Sequence, residues 1–543
     1  MKFSARISRQ PIPVDDDRAR HIREIFDPGG ALSDLVAGAA GSSPHLADLI
    51  EKEAGWLAGA LDDDDVVARE TAGFEDLDSA ALSVALRRAK RRVALFVALA
   101  DLGGVWSLEQ VTGALSDLAD RAVDLALRVH VAQEAGRGKL PENNADCGGV
   151  FALAMGKGGA RELNYSSDID LIVLFDETAY AEADQADARA ALIRVTRKMA
   201  ATLSDVTEHG YVFRTDLRLR PDASVTPVCI STAAALAYYE AEGRTWERAA
   251  FIKARAAAGD VAAGLRFLRD LRPFVWRKHL DFAAIQDAHD MRLRIRDHKN
   301  LGGRLDVPGH NMKLGRGGIR EIEFFTQTRQ IIAGGRDPGL RLRGTVPAMR
   351  ALIDRGWVPE DTGETLIRHY RAHREVEHRV QMIQDAQTHD LPGSDEGFDR
   401  LAALMGCEVA MVEVPDAADG MAASIRRGVA SLPRACAAVV VAPGDMPDLT
   451  EDDFTSVING FRAMPQATLQ QGTAEDGTPG HPVLFPADCF VALRQITGDQ
   501  GARDILRANA HRLRRVALPG RNALTDLDTP EAWEAWRAEN AVG

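Results

Sequence analysis

Over the first 140 positions apolar residues recur at mixed three- and four-residue steps, a spacing that predicts amphipathic helices. The stretch ADLGGVWSLEQVTGALSDLADRAVDLALRVHVAQEA shows the period, and GRGKLPENNADCGG breaks it as a loop. From Val150 the texture changes. VFALAM is a short apolar run ending in GKGG, and DIDLIVLF, rich in β-branched residues, is another. In YVFRTDLRLRP polar and apolar positions alternate. Phe213, Leu217 and Leu219 fall on one side and Arg214, Asp216, Arg218 and Arg220 on the other, which predicts a half-buried strand with a charged face. Helical spacing returns after about residue 276. KLGRGGIREIEFFTQTRQIIAGG puts Arg316, Arg320, Glu323, Gln327 and Gln330 on one stripe, and LIRHYRAHREVEHRVQMIQDAQTH does the same for Arg371, Arg374, His378 and Gln381. Beyond residue 407, RACAAVVVAPGDMPDLT reads as a strand ending in a Gly-Asp turn, and helix-like and strand-like pieces alternate to the end. The expected fold class is α+β and multidomain. A helical region covers 1–105, a mixed domain 106–275, a helical bundle 276–406 and a further α/β segment 407–543.

Composition narrows the picture. At 543 residues the chain is too long for one ordinary core. No apolar run approaches the ~18 residues of a membrane span, and MKFSARISRQPIPVDDDRARHIREIF lacks the apolar centre of a signal peptide. No membrane association is therefore expected. Five cysteines are scattered without metal-ligand spacing, which fits a reducing cytoplasm. With 66 basic and 80 acidic residues the net charge is −14, which argues against a general nucleic-acid binder while leaving room for a local basic pocket around one nucleotide.

The chemistry concentrates in AMGKGGARELNYSSDIDLIVLFD. Residues i and i+2 of a strand share a face, so Asp168 and Asp170 should project together while Ile169 and Leu171 enter the core. Two adjacent carboxylates repel unless a cation sits between them, and a hard divalent ion such as Mg²⁺ takes oxygen ligands of this kind. Asp216 on the arginine-rich strand supplies a third carboxylate, a set suited to phosphoryl chemistry. Gly156, Lys157, Gly158 and Gly159 form the loop through which an anion is approached, and Ser166 and Ser167 add hydroxyl donors. A lone Asp-x-Asp is also common as a solvated strand end, and it is the combination that points to a site.

Five segments, MGKGGARELNYSSDIDLI, FRTDLRLRP, YYEAEGRTWERAAFIKARAAAGD, NMKLGRGGIREIEFFTQ and EHRVQMIQDAQTHDLP, together resemble the bifunctional glutamine synthetase adenylyltransferase/adenylyl-removing enzymes over about residues 10–406. The resemblance implies a DNA polymerase β-type nucleotidyltransferase domain that moves AMP to or from a tyrosine of glutamine synthetase. One of the family's two such domains removes AMP with phosphate, yielding ADP; the other adds it from ATP. A PII signalling protein and glutamine steer the balance. With one metal motif and the family's opening segments, this chain resembles the N-terminal, removing half. Asp168, Asp170 and Asp216 would then be the catalytic, metal-holding aspartates, and Gly156–Gly159 with Ser166 and Ser167 the nucleotide and phosphate loop. Arg248, Lys253 and Arg255 would either counter phosphate charge or hold the domain to its helices by salt bridges. The Arg316/Arg320 stripe reads as structural or protein-binding, and His373, His378 and His389 as solvent or interface residues of a polar helix face.

After Gly406 the resemblance changes. The segments GDMP, GHPVLFPADCFVALRQITGDQGARDIL and LTDLDTPEAW resemble the latter part of molybdenum-cofactor nucleotidyltransferases, which implies a partial NTP-transferase domain with Asp445 and Asp526 or Asp528 holding Mg²⁺. That family's opening glycine-rich loop and lysine have no counterpart upstream. Three functional readings follow: nucleotidyl transfer on glutamine synthetase, a regulatory binding module that has lost catalysis, and cofactor nucleotidyl transfer by the last segment.

Overall fold

The structure, a computed structural model, describes residues 2–61, 65–141, 147–277, 307–406, 414, 420–432, 436–464, 468–497 and 502–540. The chain divides into two compact units, Met1–Val409 and Ala410–Gly543. None of the described helices is long and apolar enough to cross a membrane. Of the five cysteines, Cys407 lies outside the described residues and the other four are free thiols.

Labelled in the order they are introduced, three long helices of the first unit's N-terminal part are α1 (Pro44–Ala60), α2 (Ser79–Leu102) and α3 (Leu108–Gly136). Each begins where a polar side chain satisfies orphan backbone donors. Ser43 accepts from the Leu46 amide, Asp78 from those of Ala80 and Ala81, and Ser107 with Gln110 forms a reciprocal capping box. The apolar stripe of α3, including Val111, Leu115, Leu118, Ala122 and Leu125, is buried as its period requires.

The sheet follows: β1 (Val150–Ala154), the single helical turn α4 (Gly156–Gly159), β2 (Ile169–Phe175), α5 (Gln185–Ser204), β3 (Thr215–Asp216), β4 (Cys229–Ser231), α6 (Thr245–Ile252), β5 (Arg255–Gly259) and α7 (Val261–Asp270). Strand β1 runs antiparallel to β2 and to β5, whereas β2 runs parallel to β3 and β4. Strand β2 is covered on both faces, which is why its sequence reads as an almost unbroken apolar run. Leu171, Val173 and Phe175 join the core shared with α2, α3 and α5, while Ile172 and Leu174 join Phe251 and Phe267 of α6 and α7.

The expected strand over 211–220 is much shorter. Only Thr215–Asp216 pairs with β2. The Asp216 carboxylate accepts from the Arg218 amide at 2.8 Å, and the Arg220 guanidinium folds back onto the carbonyls of Leu217, Ala223 and Thr226. These local bonds turn the chain out of the sheet before Pro221.

Helices α8 (Ile319–Ala333), α9 (Thr345–Asp354) and α10 (Glu360–Gln384) follow in the same unit. Part of the expected 276–406 bundle, residues 278–306, lies outside the described residues. Arg316 sits in the turn before α8, not on its stripe. The polar stripe of α10 faces inward: Arg374, His378 and Gln381 are buried, and only Arg371 of the four reaches the surface, paired with Glu109 at 2.6 Å. His378 is therefore a core residue, its Nδ1 2.8 Å from Asp101, and His389 lies 2.6 Å from Glu377.

In the second unit, β6 (Ala438–Val441), β7 (Leu469–Thr473), β8 (Pro479–Pro486) and β9 (Leu513–Ala517) form one sheet in the order β6–β8–β7–β9. Its apolar side packs on Val429, Leu493 and Ile505. Strand β6, which carries the AVVV run, is an edge strand among the described residues.

Candidate active site

Strand β2 brings the central carboxylate into place. Asp170 stands in register with Asp216 of the parallel neighbour β3, so the two side chains leave the same face of the sheet. Asp168, two residues earlier, lies just before β2. Burial raises the pKa of Asp170 to about 6, with Asp216 and then Asp168 adding to the rise and Lys313 and Arg218 opposing it. All three aspartates are thus close enough to feel one another.

Their oxygens do not form a tight triad, however. Among the described residues the group of three carboxylates whose oxygens lie within 4.8 Å of one another is Asp445, Asp526 and Asp528. Asp168 is held by Arg214 at 2.7 Å and Asp216 by Arg218 at 2.5 Å. Arg214 also donates to the Ser166 carbonyl and to Tyr211 Oη. The arginine of FRTD and that of DLRL therefore act as counter-ions to the carboxylates that flank Asp170.

The glycine segment is a turn of helix and not an open loop, since Gly159 N–H donates to Met155 O at 2.9 Å and Ala160 N–H to Gly156 O at 3.2 Å. Gly156, with φ +52°, is where the backbone needs glycine. A Cβ there would stand 2.8 Å from Asp170 Oδ2, so the turn is laid directly against the central carboxylate. Gly159 has a packing role: a Cβ would meet the Lys253 carbonyl oxygen at 2.1 Å. Gly158 has room, its nearest neighbour being Ala154 Cβ at 3.8 Å.

The remaining candidates are committed to contacts that hold the turn and the helices. Lys157 Nζ lies 2.8 Å from Glu377 of α10, and burial lowers its pKa to about 8. Lys253 is buried between Glu162 at 2.9 Å and Glu323 at 2.7 Å. Arg255 grips Asp120 with both terminal nitrogens and donates to the carbonyl of Gly158 at 3.0 Å. For Lys253 and Arg255 the structure thus supplies the salt-bridge alternative. Arg248 is buried in α6. Ser166 donates to Asp385 and Ser167 to Asn164, so both hydroxyls are engaged within the unit. His373 stands on α10, where burial lowers its pKa, and no contact ties it to the aspartates.

Sequence reasoning passed over Lys313, Arg214 and Arg218 as members of this site. Lys313 comes from NMKLGRGG, and its charge acts on Asp170. A lysine between turn-forming residues in a quoted motif was the available signal; its nearness to β2 depends on long-range packing.

Strand β2 and its parallel neighbour β3 thus set Asp170 and Asp216 side by side next to a glycine turn. Residues 28–270 match the family model described as glutamate-ammonia ligase adenylyltransferase, and residues 289–430 match that described as GlnD PII-uridylyltransferase. The chain is similar to the bifunctional glutamine synthetase adenylyltransferase/adenylyl-removing enzyme of Rhodopseudomonas palustris strain BisB5, 47% identical over 411 residues, 73% of this chain and 41% of the relative. The same-named protein of Bradyrhizobium sp. strain BTAi1 is 48% identical over 75% of this chain and 42% of its own length. That of Mesorhizobium japonicum is 49% identical over 69% and 39%. The chain spans about two fifths of the length of these curated relatives.

In the second unit, Asp445 follows β6 and its carbonyl accepts from the Leu527 amide at 3.1 Å, which brings the Asp526–Asp528 segment against it. Burial raises the pKa of Asp526, with Asp445 and Asp528 adding to it. The expected pairing of these residues is thus present geometrically, but the family matches do not extend to a molybdenum-cofactor transferase.

Proposed function

We propose that the first unit is a DNA polymerase β-type, Mg²⁺-dependent nucleotidyltransferase that controls glutamine synthetase, and that its direction is phosphorolytic removal of AMP. The observation that carries this reading is Asp170, raised to about 6, in register with Asp216 and touched by the Gly156 turn. The relatives' names cover both addition and removal of the adenylyl group. The resemblance of the five sequence segments to the family's AMP-removing domain supports the direction.

The donor set suits a hard divalent cation, because the three carboxylates offer only oxygen and Asp216 and Asp168 both act against the charge of Asp170. Asp168, Asp170 and Asp216 would hold Mg²⁺, which when bound supplies positive charge for the phosphoryl oxygens. In the transfer, a phosphate oxygen forms a bond to the adenylyl phosphorus, the bond from that phosphorus to the tyrosine oxygen breaks, and the tyrosine oxygen takes a proton. ADP leaves. Lys313 and Arg218, which already oppose the charge of Asp170, are placed to attract phosphate groups. Glycine at position 156 keeps the backbone next to Asp170 free of a side chain.

Glutamine synthetase is the proposed target, ATP, ADP and phosphate the small-molecule partners, and a PII signalling protein the proposed regulator. The match of residues 289–430 to a family named for PII uridylylation supports the last of these. A second reading concerns the tail: Asp445, Asp526 and Asp528, with oxygens within 4.8 Å of one another, form a divalent-cation site of an NTP-transferase-like domain. The binding-module alternative is disfavoured by the retained carboxylates. The test is incubation with adenylylated glutamine synthetase, phosphate and Mg²⁺, alongside unmodified enzyme with ATP. ADP release with weak AMP incorporation supports the proposal. Strong incorporation without ADP release overturns the direction, and neither activity favours the binding module.

A further inference from the structure

A cavity of about 440 Å³ opens in the first unit, lined among others by His45 of α1, Lys90 of α2, Tyr165, Tyr211 and Asp385. Neither the three aspartates nor the glycine turn lines it. Lys90 is 8% exposed. Its Nζ donates to the Tyr165 carbonyl at 3.2 Å and lies 5.0 Å from the centroid of the Phe213 ring. An ammonium group carries three protons, and a buried one needs an opposite charge or a full set of acceptors.

Other buried cations of the unit have these. Lys253 is flanked by two carboxylates, and Arg374 by Glu377 and Tyr370 Oη. Arg87 fills its donors with Ser83 and the carbonyls of Gly210 and Asp205. For Lys90, no carboxylate among the described residues comes within salt-bridge distance. Asp385 acts on it only through space, and both oxygens of Asp385 accept from other donors, Ser166 Oγ and Tyr211 Oη. The cation is thus held in a cavity wall, short of one anionic partner.

We propose that this cavity binds a small molecule carrying a carboxylate or phosphate group, with its anionic oxygen on Lys90 Nζ and its body against the Tyr165 and Tyr211 side chains. The volume admits a compact metabolite and excludes a folded partner. Tyr211 also accepts from Arg214, the counter-ion of Asp168, so the ligand shares a wall residue with the hydrogen-bond chain that ends at the candidate active site. The site stands independently of the direction of AMP transfer.

The experiment is calorimetric titration of the full chain with succinate as the carboxylate probe and phenyl phosphate as the phosphate probe. The wild-type chain should bind at least one of them at millimolar concentration, and the one bound identifies the source of the anion. Lys90→Met should weaken binding roughly tenfold or more, as expected for loss of a buried charge-assisted bond. Ala94→Phe, which places a ring in the cavity and leaves every charge in place, should also block it. Asp170→Asn should bind like wild type, which separates this site from the catalytic one. Absence of binding by both probes, or unchanged binding in Ala94→Phe, overturns the proposal, as does loss of binding in Asp170→Asn.

Discussion

Replacing Asp170 with Asn should stabilise the fold while abolishing AMP transfer. Burial, reinforced by Asp216, raises this carboxyl from 3.8 to about 6. A carboxyl with a raised folded-state pKa binds its proton more tightly in the folded chain than in the unfolded one. Its contribution to stability is therefore greatest below pH 3.8, falls as pH rises to about 6, and is constant above that. Two pH units at about 1.4 kcal/mol each set an upper bound near 3 kcal/mol. Water reaching the partly exposed group reduces this to about 1–3 kcal/mol. Asn preserves the shape and removes the charge. Unfolding entropy near 2.1 cal/mol/K per residue, over roughly 400 residues, makes 1 kcal/mol worth about 1 °C. The Asn variant should then melt about 1–3 °C above wild type at neutral pH in EDTA, with the gap closing toward pH 4. Scanning calorimetry at the two pH values measures it. Added Mg²⁺ should raise the wild-type Tm and leave the variant where it is. An Asn variant no more stable than wild type at neutral pH, or a gap independent of pH, refutes the electrostatic argument.

Lys253→Met should lower stability by about 3–5 kcal/mol, since it strands Glu162 and Glu323 in the interior; urea unfolding reads the loss. Gly156→Ala should keep the fold and cut turnover roughly 10–100-fold, because a Cβ at that positive φ presses on Asp170; activity beside circular dichroism checks both halves. Residues 1–409, the compact first unit, should fold alone and retain most AMP removal, measured as ADP release per folded molecule.

The pattern of apolar positions located the helices and the two strands β1 and β2, because burial on one stripe or on both faces of a sheet leaves a direct mark on sequence. Asp168 and Asp170 were legible for the same reason: carboxylates against an apolar run need explaining. What alternation could not convey was that Asp216 and Arg220 spend their side chains on local bonds and end β3 after two residues. The polar stripe of α10 misled in the opposite sense. Arg374 and His378 resemble a solvated face by composition, yet each has a buried partner: Glu377, one turn further along α10, and Asp101 of α2. Such pairs are a property of packing, as is the approach of Lys313 to Asp170. Lys253 and Arg255 show that a basic residue near a glycine turn can hold scaffold and turn together with no ligand involved.

The central claim is that the carboxylates around Asp170 transfer an adenylyl group from glutamine synthetase to phosphate. Radiolabelled orthophosphate tests it most directly, with adenylylated glutamine synthetase, Mg²⁺ and either the wild-type chain or folded Asp170→Asn. The label should appear in ADP with the wild-type chain and be absent with the variant. Release of unlabelled AMP in place of ADP, or equal labelling by the variant, would contradict it.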